Sequence, residues 1–323
     1  MGVTIRAESI AIKKSTISAG FEKGTGMGIF GNLFGAKKPS GGGAPPIPKS
    51  RRVNIEKRFS IIAETGAGSM SHVYKAFDNQ QGRTVCLKVQ DLGKATAAAA
   101  RATAVGRLSE GDVGLHITHP NVVRTFEHGD TTTGAHYIVM EFVDGISLQY
   151  LRQSRITTLA QKLDLLAQAA DGLAAIHAAG FIHHDVGPKN VLVDREDNVK
   201  IIDFGLTVPN TTAFQRGGNR TGTLQYMAPE VIRREPKNEK IDIFAFGVMT
   251  FEFLTNKMPY EAAEGMQLMT QRMNSEPIDI GRFAPNLPED LKAIVGKLLK
   301  KNPRERWPSM GLLGRTLREI QVS

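Results

Sequence analysis

The sequence has little of what a secreted or membrane-spanning protein needs. Its 323 residues include one cysteine, Cys86, so no internal disulfide can form, which fits a reducing compartment. No N-terminal stretch joins a basic start to an uninterrupted apolar block, so we expect no secretory signal. The longest apolar stretch, Ile241 to Leu254, contains Asp242 and Glu252 and falls short of the roughly 20 residues that cross a bilayer. We therefore expect a cytoplasmic protein without a transmembrane segment, with this stretch as a core helix.

Acidic residues are scarce at the N terminus. Residues 1–58 contain eleven Lys or Arg against three Glu, whereas the rest of the chain is nearly neutral, with 30 basic and 29 acidic residues. From Gly20 to Pro48 the composition is rich in glycine and proline, which cannot bury enough apolar surface to offset the entropy of ordering. We expect residues 1–58 to be a mostly disordered basic tail. Such a tail is usually solvated, and the alternative is contact with an acidic partner or a membrane surface.

Met27, which precedes the apolar residues of MGIFGNLFG, is an alternative translation start. No feature of the tail or of the nearly neutral remainder indicates a specific nucleic acid as partner.

Beyond about Val53, the pattern changes to short alternating strands. FSIIAE, HVYKAF and RTVCLKVQ are separated by GAGSMS and DNQQGR, which are turn compositions, so we expect an antiparallel meander. An alanine-rich helix is predicted from about Lys94 to Leu108, followed by two more strands. After Ser147 apolar residues recur at helical spacing, and the first long helix should end at Gly180. The prediction is an α+β fold with a small sheet domain before a larger helical one.

Residues 191–202, VLVDREDNVKII, read as a hairpin with a polar turn. If the turn is centred between Glu196 and Asp197, facing residue numbers sum to 393, which places Asn190 opposite Asp203, about 5 Å away. Two oxygen-bearing side chains so placed suit a hard divalent ion such as Mg²⁺. Asp185, five residues before Asn190, could then accept a proton from a hydroxyl group.

The glycines of GAGSMSHV allow a hairpin tip to approach an anion closely, although such a pattern alone is weakly specific. In RTVCLKVQ, strand alternation puts Cys86 and Lys88 on one face and Val85, Leu87 and Val89 on the other. Lys88 should therefore emerge beneath the tip, where a lysine can bind phosphate oxygens. Glu110 is the only glutamate between Asp91 and Phe126 and is the candidate to hold it.

Together these segments resemble a eukaryotic-type, Hanks-type Ser/Thr protein kinase domain over residues 59 to about 320. The motifs occur in the family's order: GAGSMSHV, VCLK, a glutamate nine residues before HPN, VMEFV, HHDVGPKN, DFG, GTLQYMAPE, DIFAFG and NPRERW. GTLQYMAPE is similar to Ser/Thr kinases rather than tyrosine kinases. The resemblance implies a bilobal fold with an N-lobe over 59–145 and a C-lobe over 146–323, ATP and Mg²⁺ as cofactors, and protein Ser or Thr hydroxyls as acceptors.

The resemblance also implies roles for single residues. Lys88 would bind the α- and β-phosphates and pair with Glu110, Asn190 and Asp203 would hold Mg²⁺, and Asp185 would orient the acceptor hydroxyl. Glu230 should form a structural ion pair with Arg306. The remaining ATP-binding positions are the phosphate loop, the adenine contacts, the gatekeeper and the hinge backbone: Gly66, Ala67, Gly68, Ser69, Met70 and Ser71; Val73, Cys86 and Leu192; Met140; Glu141 and Val143.

The catalytic loop departs from the family pattern H-R-D-x-K-P-x-N. His184 stands in place of the arginine, so the loop is of the non-RD kind, and strict dependence on phosphorylation of Thr211, Thr212 or Thr221 is not expected. Gly187 stands in place of the lysine that touches the transferring phosphate, and we predict that Lys189 supplies that charge. Ser71 replaces the third glycine of the phosphate loop, which should stiffen it.

These departures leave two alternative functions. A catalytically weak pseudokinase scaffold is suggested by Gly187, His184 and Ser71. A small-molecule kinase of the aminoglycoside or choline type would also fit H-x-D-x-x-x-x-N, but DFG, the APE segment and Arg306 belong to a peptide-docking platform that those enzymes lack.

Overall fold

A computed structural model describes residues 52–67, 71–90, 108–218 and 220–322. Its strands are β1 (Phe59–Ala67), β2 (Ser71–Asp78), β3 (Arg83–Gln90), β4 (Thr125–Asp130), β5 (His136–Glu141), β6 (Gly145–Ser147), β7 (Phe181–Ile182), β8 (Val191–Asp194), β9 (Val199–Ile201) and β10 (Val208–Pro209). Its α-helices are α1 (Ile55–Arg58), α2 (Glu110–His116), α3 (Leu148–Ser154), α4 (Leu159–Ala178), α5 (Thr212–Gln215), α6 (Pro229–Arg233), α7 (Lys240–Thr255), α8 (Gly265–Asn274), α9 (Glu289–Leu298) and α10 (Met310–Glu319).

The N-terminal part is an antiparallel sheet with strand order β1-β2-β3-β5-β4. The predicted meander of the first three strands is confirmed. Alternation along β3 is confirmed as well: Val85 and Leu87 are fully buried in the core of the small lobe, together with Phe59 and Tyr137. Because successive side chains on a strand point to opposite faces, Lys88 is left on the face away from that core.

The tail predicted for residues 1–58 extends too far, because residues 53–58 pack against the sheet. Val53 forms a bridge with Thr131, and α1 follows it. Arg58 is buried and makes ion pairs with Asp78 at 2.7 Å and Glu127 at 2.6 Å. Counting charges along the sequence assigned Arg58 to the basic tail, whereas its partners lie on β2 and β4, far away in sequence. Residues 1–51 of the predicted tail lie outside the described residues.

The C-terminal part is helical, as predicted. Helix α4 begins with a capping box between Thr158 and Gln161, and Gly180 follows its end with φ of +84°, a conformation that glycine adopts without strain. Helix α7 contains the apolar stretch from Ile241 to Leu254 and is almost entirely buried, so the core-helix prediction is confirmed. The fold is therefore α+β and bilobal, with a small antiparallel-sheet lobe and a larger helical lobe.

The alanine-rich helix from Lys94 lies outside the described residues, except for its last residue, Leu108. Across the described ranges, the helices that are present are too short or too polar to cross a bilayer.

The predicted pair between Glu230 and Arg306 is confirmed. The guanidinium group donates to both carboxylate oxygens, at 2.6 and 2.8 Å, and both side chains are buried. Arg306 also donates to the carbonyl oxygens of Lys240, Lys300 and Lys301. This bond fixes α6 to the loop before α10 and to the start of α7.

Candidate functional site

A lysine and two carboxylates meet on the inner face of the small lobe. Lys88 Nζ on β3 donates to both oxygens of Glu110, at 2.6 and 2.9 Å, and to Asp203 Oδ1 at 3.3 Å. Burial alone would lower the pKa of Lys88, but the two carboxylates outweigh it and raise that pKa. Lys88 therefore stays protonated and can offer a fixed positive charge to an anionic ligand.

Glu110 is positioned by the first turn of α2. Ser109 caps this helix, and its side chain and that of Asp112 form a capping box. Gly111 and Gly114 are buried against β4, where a Cβ on Gly111 would overlap the ring of His128 and one on Gly114 would overlap Thr125. The carboxylate was predictable from the sequence, but this packing was not, because only the neighbouring strand reveals it.

The loop that carries Asp185 is held from below by Asp242 of α7. The backbone N–H groups of His183 and His184 donate to the Asp242 carboxylate at 2.8 and 2.9 Å, and the imidazole of His177 forms a 2.9 Å hydrogen bond with it. His184 has φ of +71°, in the left-handed region that non-glycine residues rarely occupy. These hydrogen bonds stabilise the left-handed turn at His184 and thereby fix the position of Asp185, the next residue.

The Asp185 carboxylate is held by donors on both oxygens. Thr223 donates to Oδ1 through its backbone N–H and its hydroxyl, at 2.9 and 2.8 Å. Asn190 Nδ2 donates to Oδ2 at 3.1 Å, and Lys189 Nζ lies 3.1 Å from the same oxygen. Burial would raise the pKa of Asp185, but the hydrogen bonds from Thr223 and Lys189 and the charge of Lys189 outweigh it and lower that pKa.

Asn190 and Asp203 lie on neighbouring segments, but their predicted register is wrong by one residue. Val191 faces Ile201, and the Ile202 N–H donates to the carbonyl oxygen of Asn190 at 3.0 Å, so Asn190 faces Ile202 rather than Asp203. The reason is the turn, which has three residues between Asp194 and Asn198 and places Asp197 at φ of +62°. A turn of odd length cannot be centred between two residues.

The donor atoms of Asn190 and Asp203 still fit a hard cation. The Asn190 amide nitrogen donates to the backbone and side chain of Asp185, which leaves its oxygen as the atom to offer a ligand. Asp203 is partly exposed, and Lys88, despite the opposing effect of burial, lowers its pKa, so it is an anion. Carboxylate and amide oxygens are ligands that Mg²⁺ accepts. Phe204, next in sequence, is buried in the core of the large lobe.

Three of the predicted residues around the adenine, Val73, Cys86 and Met140, lie on β2, β3 and β5. Val73 is paired with Lys88 across the β2–β3 ladder, and Cys86 with Met140 across the β3–β5 ladder. Cys86 and Val143 pack against the apolar cluster that contains Met140. Burial raises the pKa of the Cys86 thiol to about 11, so this residue contributes a neutral wall.

The other predicted ATP contacts belong to the hinge, to β8 and to the phosphate loop, and part of that loop lies outside the described residues. The Glu141 N–H donates to the carbonyl oxygen of Arg124, so a hinge bond from Glu141 would use its own carbonyl oxygen. Leu192 is half-buried on β8. Gly66 and Ala67 end β1, and Ser71 begins β2. Gly68, Ser69 and Met70 lie outside the described residues.

Thr223 is the site residue that the sequence reasoning missed. It belongs to GTLQYMAPE, which was used only as a family motif. Its two hydrogen bonds to Asp185 join segments 38 residues apart. A hydroxyl residue next to glycine is too common a pattern to predict such a contact.

An antiparallel small lobe and a helical large lobe, together with this set of lysine, glutamate, aspartate and asparagine, are typical of the bilobal protein kinase fold. The protein kinase domain family matches residues 59–316, and the chain belongs to that family.

The chain is similar to bacterial members of the family. It is 28% identical over 256 residues to the serine/threonine-protein kinase PrkC of Bacillus subtilis, covering 78% of this chain and 39% of that protein. It is 31% identical over 263 residues to the serine/threonine-protein kinase pkn2 of Myxococcus xanthus, covering 78% and 31%. It is 29% identical over 267 residues to PknB of Mycobacterium tuberculosis, covering 79% and 41%. The chain thus spans well under half the length of these relatives.

Proposed function

We propose that the chain is an active Ser/Thr protein kinase that transfers the γ-phosphate of ATP to protein hydroxyls. The observation that carries this proposal is the state of Asp185, a carboxylate held ionised and oriented by Thr223, Asn190 and Lys189. Such a group can orient an acceptor hydroxyl and accept its proton. The names of the similar proteins, which are serine/threonine-protein kinases, support the same reaction.

The other residues take the roles that the family implies. Lys88, held by Glu110, binds ATP phosphates, and the small-lobe strands and the hinge enclose the adenine. Asn190 and Asp203 would hold Mg²⁺, which neutralises phosphate charge when bound. Lys189, beside Asp185, supplies the positive charge that Gly187 lacks. We further propose that the lobes of this enzyme span residues 59–145 and 146–323 and that it is cytoplasmic.

The test is transfer of labelled γ-phosphate from Mg-ATP by the full chain, with Asp203→Asn as the matched control. We expect phosphoserine or phosphothreonine on protein with the wild type and its loss with the variant. Equal signals from both would identify a pseudokinase. Labelling of an aminoglycoside or choline without any labelled protein would identify a small-molecule kinase, although the Glu230–Arg306 platform argues against it.

A further inference from the structure

The segment between Asp203 and Glu230 is without acidic residues. Its 26 residues include two arginines, Arg216 and Arg220, and no Asp or Glu. Both arginine side chains are exposed. Because this segment carries Thr223 to Asp185, it lies beside the point where an acceptor hydroxyl must enter.

A second cationic segment packs directly against the first. The Lys237 N–H donates to the carbonyl oxygen of Gln215 at 2.8 Å, and Arg220 Nε donates to the carbonyl oxygen of Ile232 at 2.9 Å. These contacts bring the two segments together, and their five cations are defined here as the cationic face: Arg216, Arg220, Arg233, Arg234 and Lys237. Within it, Arg233 also donates to the carbonyl oxygen of Met273 at 2.7 Å, and Lys237 is half-buried. Glu235 is the single acidic residue within 215–220 and 232–237.

In the part of the chain that the structure describes, no carboxylate neutralises the cationic face. Across the described ranges, none of its five members has a carboxylate oxygen within 4.0 Å, although other surface cations such as Arg155 and Arg318 do. Glu252, which lies behind Tyr226, is already used: Arg152 pairs with it at 2.6 Å and the Tyr226 hydroxyl donates to it at 2.6 Å. Its charge is therefore not available to a basic substrate.

The positive charge continues to the reacting position. Thr221, next to Arg220, forms a 3.1 Å hydrogen bond with His184, and Thr223 contacts Asp185. The Lys189 side chain is about half exposed, and its Nζ lies 3.1 Å from Asp185 Oδ2. An extended peptide advances about 3.3 Å per residue, so substrate residues within a few positions of the acceptor come within reach of Arg220.

We propose that this kinase selects Ser or Thr acceptors flanked by acidic or phosphorylated residues, bound by the cationic face. The inference rests on the proposed kinase function and adds its substrate class. Unpaired cations beside the acceptor attract carboxylates and phosphates and repel lysine and arginine. The cationic face therefore favours acidic peptides and disfavours basic ones. Three or four exposed ion pairs together correspond to a preference of roughly tenfold over a neutral peptide.

The test uses the full chain and four peptides that share one acceptor serine. Their flanking residues are neutral, lysine and arginine, aspartate and glutamate, or phosphoserine. We expect kcat/KM to follow the order acidic, neutral, basic, with the difference mainly in KM and smaller at an ionic strength of about 0.15 M than in dilute buffer. Comparison of the phosphoserine and aspartate peptides shows which anion the site prefers.

Two variants assign the preference to the cationic face. Arg216→Glu/Arg220→Glu should lose the preference for acidic peptides while its kcat on the neutral peptide stays close to wild type. Arg216→Glu alone leaves the bond from Arg220 to Ile232 in place and should weaken the preference in the same direction. The matched control is Arg304→Glu/Arg315→Glu, with the same charge change at exposed positions, which should keep the preference.

The outcomes separate the two proposals. Equal or better use of the basic peptide by an enzyme that phosphorylates the neutral one would overturn the substrate inference and leave the kinase function standing. An unchanged preference in both cationic-face variants would also overturn it. Absence of phosphate transfer to any peptide or to the chain itself, as in Asp203→Asn, would instead overturn the kinase proposal.

Discussion

Among single residues, Lys189 is the one whose role departs most from the family pattern. A side chain at position 187 would begin 3.4 Å from the ring of Tyr226, whereas Lys189 reaches Asp185 directly. We expect Lys189→Ala to lower kcat by about a hundred- to a thousandfold, as does loss of one donor to transition-state charge elsewhere. The affinity for Mg-ATP, measured by calorimetry, should stay unchanged, and Lys189→Arg should recover part of the rate. A near-normal kcat for Lys189→Ala would show that the charge comes from elsewhere.

Thr223 should control the acidic side of the pH profile. Asp185 has a lowered pKa because hydrogen bonds and the charge of Lys189 outweigh the effect of burial. Its carboxylate form accepts the proton, so activity should persist as pH falls until that lowered pKa is reached. Thr223→Val removes the hydroxyl donor, so the pKa of Asp185 rises and the acidic limb of kcat/KM should move to higher pH by up to about one unit. Thr223→Ser keeps the donor and should keep the wild-type limb.

The Thr221 hydroxyl forms a hydrogen bond with His184. In the family pattern an arginine stands at position 184, where it could hold a phosphate on the loop. An unperturbed imidazole is mostly neutral near pH 7 and holds a phosphate weakly. We therefore expect alanine at Thr211, Thr212 and Thr221 together to leave basal phosphate transfer within a few-fold of wild type. A fall to the level of Asp203→Asn in the same assay would show that loop phosphorylation is required.

At the scale of the elements, the glycines of α2 have a packing reason. By helix propensity alone, Gly111 and Gly114 each weaken the helix by about 1 kcal/mol relative to alanine, which would leave the Lys88–Glu110 pair partly formed. The structure shows the pair formed at 2.6 Å and both glycines in close contact with β4. The two glycines destabilise the helix itself, but they allow α2 to pack closer to the sheet.

Alanine at these positions should therefore do the opposite of what helix propensity predicts. Gly111→Ala would overlap the His128 ring, so α2 must move and the bond between Lys88 and Glu110 should lengthen. We expect a lower affinity for Mg-ATP and faster amide exchange along α2. The control is Gly296→Ala in α9, where a Cβ meets nothing within 4 Å and stability should rise by about 0.4–1 kcal/mol. Equal gains from both substitutions would contradict this account.

The β8–β9 hairpin shows where sequence reasoning succeeds and where it stops. Alternation and turn composition predicted the two strands and brought Asn190 near Asp203. They could not fix the register, because it depends on Asp197 taking a left-handed conformation, which aspartate adopts only sometimes. The error was one residue, which in a strand exchanges the two faces.

On the scale of the whole molecule, the order of motifs was enough to predict both lobes, because each motif has a fixed place in the fold. Contacts between distant segments were harder. The bond between Thr223 and Asp185 and the burial of Arg58 each depend on tertiary contacts that no local pattern encodes. The Glu230–Arg306 pair was predictable only through the family resemblance. It joins residues 76 positions apart.

That pair should be a main support of the large lobe, unlike the ion pairs on the surface. Arg306 and Glu230 are almost fully buried, so removing one partner leaves an uncompensated charge and typically costs about 3–5 kcal/mol. We expect Arg306→Met to lower the free energy of unfolding in urea by that amount, and Glu230→Gln in the same chain to restore part of it.

Arg155→Gln breaks a pair of similar two-bond geometry with Asp197, but both of those side chains are about a third exposed. Solvent screens such a pair, so its loss should cost at most about 1 kcal/mol. Equal losses for the two arginine variants would mean that burial does not set the strength of the Glu230–Arg306 bond.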